Sequence, residues 1–240
     1  MERFYRRLYA GENIVYFDVK CEQTDLRVGA DRNLKTETIF LVKKYRSQIK
    51  EYIAENHDFL TSLKPIELPL MSYDIIFRMC EAAKTANVGP MAAVAGAINE
   101  FVGRELLQYS ENVIIENGGD LFLKTNHLTR IGIYAGKSPF TGELAIEIPS
   151  LSKPIGICTS SGNIGHSLSF GKADAAMIIS DNVTLSDALA TAMGNLVSMP
   201  NDIKRAINFA RSVPNVKGAL VILDDKIGVW GNIKLVPIKH

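Results

Sequence analysis

The stretch Val113-Ile114-Ile115-Glu116-Asn117-Gly118-Gly119-Asp120-Leu121-Phe122-Leu123 decides the fold class. Two short apolar runs flank Asn-Gly-Gly, and Asn-Gly between such runs is the strongest short-range signal for a β-hairpin. The spacing predicts a strand over 113–116, a turn at Asn117-Gly118-Gly119 and a return strand over 120–123. Upstream, Ile14–Val19 and Thr24–Val28 flank Cys21-Glu22-Gln23 and predict a second hairpin. Downstream, strands are expected at 130–134, 144–148, 156–159, 175–179, 219–223, 226–230 and 233–236. Between these runs the period changes. Ile39, Val42, Ile49 and Ile53 keep close to helical spacing with charged residues among them, which predicts a helix over 34–54. A second helix is expected over 73–86. A third is expected to start at Gly89-Pro90, with a small-residue body over 91–98 that Glu100 and Arg104 soon interrupt. Two more are expected at 186–197 and 201–212. Strand runs and helix runs are segregated more than they alternate, so the expected class is α+β, with antiparallel-rich sheets covered by helices. No linker or repeat divides the chain, and one domain over 1–240 is expected.

Composition narrows the function. Of 240 residues, 47% are hydrophobic and 22% charged, and 27 Lys+Arg stand against 26 Asp+Glu. A net charge of +1 offers no basic field, which argues against nucleic acid as a partner. No run approaches the roughly 20 apolar residues that span a bilayer. The opening Met1-Glu2-Arg3-Phe4 lacks the apolar core of a signal peptide, so the expected location is cytoplasmic. Cys21, Cys80 and Cys158 have no metal-ligand spacing, and they read as free thiols rather than a disulfide framework. The basic run Lys43-Lys44-Tyr45-Arg46 reads as a phosphate contact or as the solvated face of its helix.

Three segments have residue types suited to chemistry. In Asn117-Gly118-Gly119-Asp120, Gly118 and Gly119 let a ligand approach bare amides, and Asp120 can accept bonds from a ribose or an amide; the same residues make a plain turn. In Gly156-Ile157-Cys158-Thr159-Ser160-Ser161-Gly162-Asn163-Ile164-Gly165-His166, a strand breaks into hydroxyls and glycines. Thr159, Ser160, Ser161 and Gly162 then offer N–H and O–H donors to an anion, though without the ending of a Walker A loop. His166 reads as a general base, a ligand contact or a structural residue. In Thr184-Leu185-Ser186-Asp187-Ala188-Leu189-Ala190-Thr191, the carboxylate of Asp187 and the hydroxyl of Thr191 share a helix face and suit Mg²⁺ or Ca²⁺. Thr184 and Asp187 read equally well as a capping box. Spacing alone selects no catalytic triad and no paired carboxylates.

These segments, in this order, resemble the ApbE superfamily, which includes the FAD:protein FMN transferases. Members carry a Gly-Gly-Asp hairpin, a Gly-Ile-Ala-Thr-Ser-Gly strand and an Asp-Ala-Leu-Ala-Thr helix start, the last matched residue for residue at 187–191. The resemblance covers about 88–197. The Gly89–Gly96 run and the Gly165-His166-Ser167 loop resemble an ApbE-like branch of archaea and anaerobic bacteria. The resemblance implies a flavin or other nucleotide ligand such as FAD and a metal-dependent transferase reaction that moves FMN onto a threonine. It makes Asp187 and Thr191 the metal ligands, with Thr159, Ser160 and Ser161 lining the nucleotide pocket and Gly118, Gly119 and Asp120 at its rim.

The sequence departs from the transferase pattern. Where transferases carry Lys-Gly-Tyr-Ala, this chain has Val88-Gly89-Pro90-Met91, without the Lys or the Tyr. The Asp-Pro-x-Thr-Gly loop that follows the transferase His is replaced by Ser167-Leu168-Ser169. Three readings therefore stand. The first is a metal-assisted enzyme acting on a flavin or nucleotide. The second is a silent relative that binds a small anionic ligand or a partner protein, with a homodimer left open. The third is a sulfur-handling protein of anaerobic sulfide assimilation. It rests on Cys158, which stands where the family has Ala and whose thiol pKa neighbouring amides would lower.

Overall fold

Residues 14–162 and 171–238 are described by a computed structural model. The hairpin at 113–123 lies in the middle of an eight-stranded sheet, β1(Val15–Cys21), β2(Thr24–Ala30), β3(Val113–Asn117), β4(Asp120–Lys124), β7(Ile155–Ser160), β8(Ala175–Ser180), β9(Val216–Leu223) and β10(Lys226–Gly231), ordered in that sequence across the sheet. Every neighbouring pair is antiparallel. A second sheet has the order β11(Lys234–Pro237), β6(Leu144–Ile148), β5(Thr129–Gly132).

The central strands are apolar on successive residues because both of their faces are buried. On β8, Ala176 and Ile178 join one core cluster while Ala175, Met177 and Ile179 join the other. β9 divides in the same way, with Ala219 and Val221 on one side and Leu220 and Ile222 on the other. A period of two along a strand imposes this partition. The first core receives the helices α1(Lys35–Glu55), α2(His57–Thr61), α3(Asp74–Ala86), α4(Val94–Leu106), α5(Val183–Asn195) and α6(Asp202–Ser212). The second core lies against the small sheet through Ile131, Ile146 and Ile148. Glu147 sets the register of that sheet. It stands opposite both Arg130 and Lys234 and pairs with them at 3.0 and 2.5 Å.

The expected α+β class with antiparallel sheets and a helical cover is the one observed. The first core draws residues from both sides of Pro65–Pro69, so no second core divides the described residues there. Four details differ from expectation. The turn at Gly89-Pro90 opens a 3-10 segment, Pro90–Ala93, before α4 begins. α4 continues through Glu100 and Arg104, which form an i,i+4 ion pair at 2.8 Å and support the helix instead of interrupting it. α5 begins at Val183, three residues early, because the Asn182 side chain accepts the Leu185 N–H at its N-terminus. The tip of the central hairpin is Gly118-Gly119, with φ of +68° and +108°, and Asn117 ends the strand opposite Asp120. Positive φ at both central residues is what a two-residue type I′ turn requires.

Candidate functional site

Four elements meet on the helical face of the sheet. β4 begins at Asp120, beside β7. Helix α5 lies along β7, with Val183 against Gly156 and Gly194 near Ser160, where a Cβ built on Gly194 would stand 3.7 Å from the Ser160 hydroxyl. Asp187, Thr191 and Gly194 fall on one stripe of α5 at helical spacing. α4 crosses above, and its Gly96 lies so close to α5 that a Cβ would be 2.6 Å from the Val183 carbonyl oxygen. This contact explains the glycine at 96.

Asp187 is buried, 9% exposed, and its Oδ2 accepts the Gly96 N–H at 2.8 Å. A second N–H, from Ala95, also reaches the carboxylate. Both donors belong to the first turn of α4, whose own N-cap residue Ala93 contributes no side-chain bond. Asp187 therefore caps a neighbouring helix, not its own. The capping box expected from Thr184 and Asp187 is absent. Asn182 and Glu100 cap α5 instead, with Glu100 Oε2 accepting the Thr184 N–H at 3.0 Å and the Thr184 hydroxyl at 2.9 Å.

Asp120 is 8% exposed and lies beside Asp187 in the electrostatic sense: each is buried, and the charge of Asp187 raises the Asp120 carboxyl. Burial pushes Asp120 well above the ordinary carboxylate range, against the Cys158 thiol and Thr159 N–H that bond to it. Burial likewise raises Asp187 to about 7, against the Gly96 and Ala95 N–H groups. Among the described residues, no lysine or arginine is one of the groups shifting either acid. The Asn99 amide donates to the Asp120 main-chain oxygen at 2.9 Å, while Asn99 Oδ1 and Asp120 Oδ1 are both buried without a hydrogen-bond partner.

Cys158 faces this cluster from β7 and is fully buried, its Sγ 3.6 Å from the Val183 carbonyl oxygen. The depressed pKa expected of its thiol is corrected. Burial, together with Asp120 and Asp187, pushes it well up, so the thiol stays protonated. Thr191 is 6% exposed, one turn beyond Asp187. Thr159, Ser160, Ser161 and Gly162 are half-buried at the end of β7. Gly118 has open space around it, and Gly119 lies near the Thr159 carbonyl. Gly162 does not clear room: a Cβ there would stand 2.1 Å from the Gly171 carbonyl oxygen, so this glycine serves backbone packing. His166 lies outside the described residues.

The structure thus brings Asp120, Thr159, Ser160, Asp187 and Thr191 to one region and adds Gly96, Asn99 and Glu100. The sequence signal for Asn99 and Glu100 was a pair of polar side chains that follows the apolar and small residues at 91–98. Among the described residues no group of three or more His, Cys, Asp or Glu side chains is placed to hold a metal ion. Any cation here would draw on hydroxyl, amide and carboxylate oxygens, the donors that Mg²⁺ and Ca²⁺ prefer. The two unpartnered buried oxygens fit that demand. No helix of the described residues is long and apolar enough to cross a membrane.

The chain belongs to the AbpE bacteria family, whose model matches residues 6–221. It is 37% identical over 219 residues to a UPF0280 protein of Methanocella arvoryzae, covering 91% of this chain and 89% of that one. A UPF0280 protein of Archaeoglobus fulgidus is 40% identical over 193 residues, 78% and 79% of the two chains. Among solved structures, the apbe protein of Thermotoga maritima matches with a TM-score of 0.56 at 13% identity, covering 90% of this chain and 96% of its own. The apo flavinyl transferase ApbE of Pseudomonas stutzeri matches with a TM-score of 0.53 at 13% identity, covering 90% and 94%. The ApbE-like resemblance is therefore borne out in family and in fold.

Proposed function

We propose that the chain binds a flavin or another anionic, nucleotide-like ligand together with Mg²⁺ or Ca²⁺ at the cluster formed by β4, β7, α4 and α5. The observation that carries this reading is a pair of buried carboxylates, Asp120 and Asp187, with no lysine or arginine of the described residues among the groups that shift them. Buried acids must take up protons, find a partner charge or coordinate a metal. Asp187 and Thr191 are the residues proposed to hold the cation. When bound, the cation neutralises a pyrophosphate and stabilises charge at an attacked phosphorus. The chain's own groups do the rest. Thr159, Ser160 and Ser161 present hydroxyls and amides to phosphate oxygens. Gly118 and Gly119 leave space at the rim, where Asp120 can accept bonds from a ribose or an amide. That solved proteins of the same fold are named flavin transferases supports extending this to phosphoryl or FMN transfer.

A second reading, ligand binding without transfer, draws on one specific feature. Val88-Gly89-Pro90-Met91 carries no lysine, and Gly89 is wedged against the loop after α2, where a Cβ would lie 1.8 Å from the Ser62 carbonyl oxygen. That segment packs the helices together and provides no charge for a phosphoryl group. A thermal-shift panel of FAD, FMN, ADP and NADP with and without Mg²⁺ tests binding, since ligand at 100 times its Kd adds about 2.7 kcal/mol of apparent stability. A flat response across the panel with metal present sinks both readings. AMP release from FAD in the presence of Mg²⁺ and a threonine-bearing acceptor distinguishes transfer from binding alone.

A further inference from the structure

We infer that Asp120 and Asn99 are two further oxygen ligands of the cation held by Asp187 and Thr191, an inference that rests on the cation-binding reading above. Neither residue was singled out as a metal ligand by any motif. The case starts from hydrogen bonding. Buried polar atoms in folded proteins are almost always partnered, and an orphan oxygen costs roughly 1–3 kcal/mol. Here two such oxygens occur in residues that hydrogen-bond to one another: Asn99 Oδ1, in a residue with no exposed surface, and Asp120 Oδ1, in a residue 8% exposed.

The orientation of Asn99 is fixed. Its Nδ2 donates to the Asp120 main-chain oxygen at 2.9 Å, so turning the amide over would set two oxygens against each other. Asn99 Oδ1 is an acceptor, as is Asp120 Oδ1 once its carboxyl is ionised, and each then awaits an electropositive partner. Asn99 lies three residues after Gly96 on α4, on the turn that follows the one holding Asp187, so the amide and both carboxylates converge between α4, β4 and α5. The donors are a neutral amide oxygen, two carboxylates and a hydroxyl, all hard oxygens of the kind Mg²⁺ and Ca²⁺ take. A buried water is the competing occupant. It can donate to both orphans, yet it leaves the two carboxylates without a counter-charge.

The test uses the full chain stripped of metal, titrated with Mg²⁺ and Ca²⁺ by calorimetry and with Tb³⁺ by luminescence, whose lifetimes in H₂O and D₂O count the waters on the ion. Asp187→Ala is expected to abolish binding. Asp120→Asn and Asn99→Ser are each expected to weaken it roughly ten-fold or more. Asn99→Ser should also give the bound Tb³⁺ one more water than the parent has, whereas Asp120→Asn keeps an oxygen at the ion and lowers affinity alone. Asn99→Ser leaves both carboxylates in place, so a purely electrostatic role for Asp120 would not move it, and it decides the matter if Asp120→Asn fails to fold. Parent-like affinity and hydration in Asn99→Ser and Asp120→Asn, with Asp187→Ala still unable to bind, would overturn this inference and leave the cation reading intact. Weaker binding in Asn99→Ser with unchanged hydration overturns it as well. A parent that binds none of the three ions overturns both.

Discussion

Replacing Asp187 with Asn in metal-free protein should change how stability depends on pH. The Asp187 carboxyl titrates near 7 in the folded chain against an ordinary value of 3.8, because burial penalises its charged form. An acid raised in this way holds its proton more tightly when folded. Its contribution to stability is complete below the unfolded value and is lost as pH rises through the folded one. At 1.36 kcal/mol for each factor of ten, the interval from 3.8 to about 7 sets an upper bound of about 4 kcal/mol lost between pH 4 and pH 7. Asp187→Asn abolishes the titration and keeps an oxygen for the Gly96 N–H. Urea unfolding in a chelating buffer from about pH 5 to about pH 8 checks this. The variant should gain on the parent as pH rises, by about 1–3 kcal/mol across this narrower range. Mg²⁺ should then restore the parent at high pH and leave the variant unchanged, because metal binding requires the deprotonated carboxylate. A stability gap that stays flat with pH, or widens toward acid, would refute the reasoning.

Three further outcomes are expected. Gly96→Ala should destabilise by about 1–3 kcal/mol, since its Cβ would meet the Val183 carbonyl at 2.6 Å and Asp187 Cβ at 2.7 Å; unchanged urea midpoints would show that α4 and α5 separate freely. Glu100→Ala should cost about 1–3 kcal/mol by leaving the buried Thr184 N–H and hydroxyl without their acceptor, which thermal unfolding measures. In native protein a thiol reagent should modify half-buried Cys21 well before Cys80 and Cys158, whose burial keeps their thiols protonated; rapid labelling at Cys158, located by peptide mass, would revive the sulfur-handling reading.

What was legible in the sequence follows from the range of the interactions involved. The hairpin at Gly118-Gly119 and the long helix at 35–55 are fixed by turn chemistry and periodicity within a few residues, and both were readable. Asp187 shows the opposite case. Locally, Thr184 and Asp187 satisfy the spacing of a capping box, yet the chain uses Asn182 beside them and Glu100, 84 residues away, to cap α5. Asp187 is thereby released to cap α4, 91 residues upstream. A local pattern cannot report this exchange, because either helix could supply its own cap and only packing at Gly96 decides which one does. The pairing of Asp120 with Asp187 is invisible for the same reason: they are 67 positions apart and meet only because β4 and β7 pair and α5 lies across them. Glu100 therefore matters to the site without touching it. By holding the start of α5 against α4, it fixes where Asp187 stands relative to Gly96, Asn99 and Asp120, and any chemistry at the two carboxylates depends on that distance.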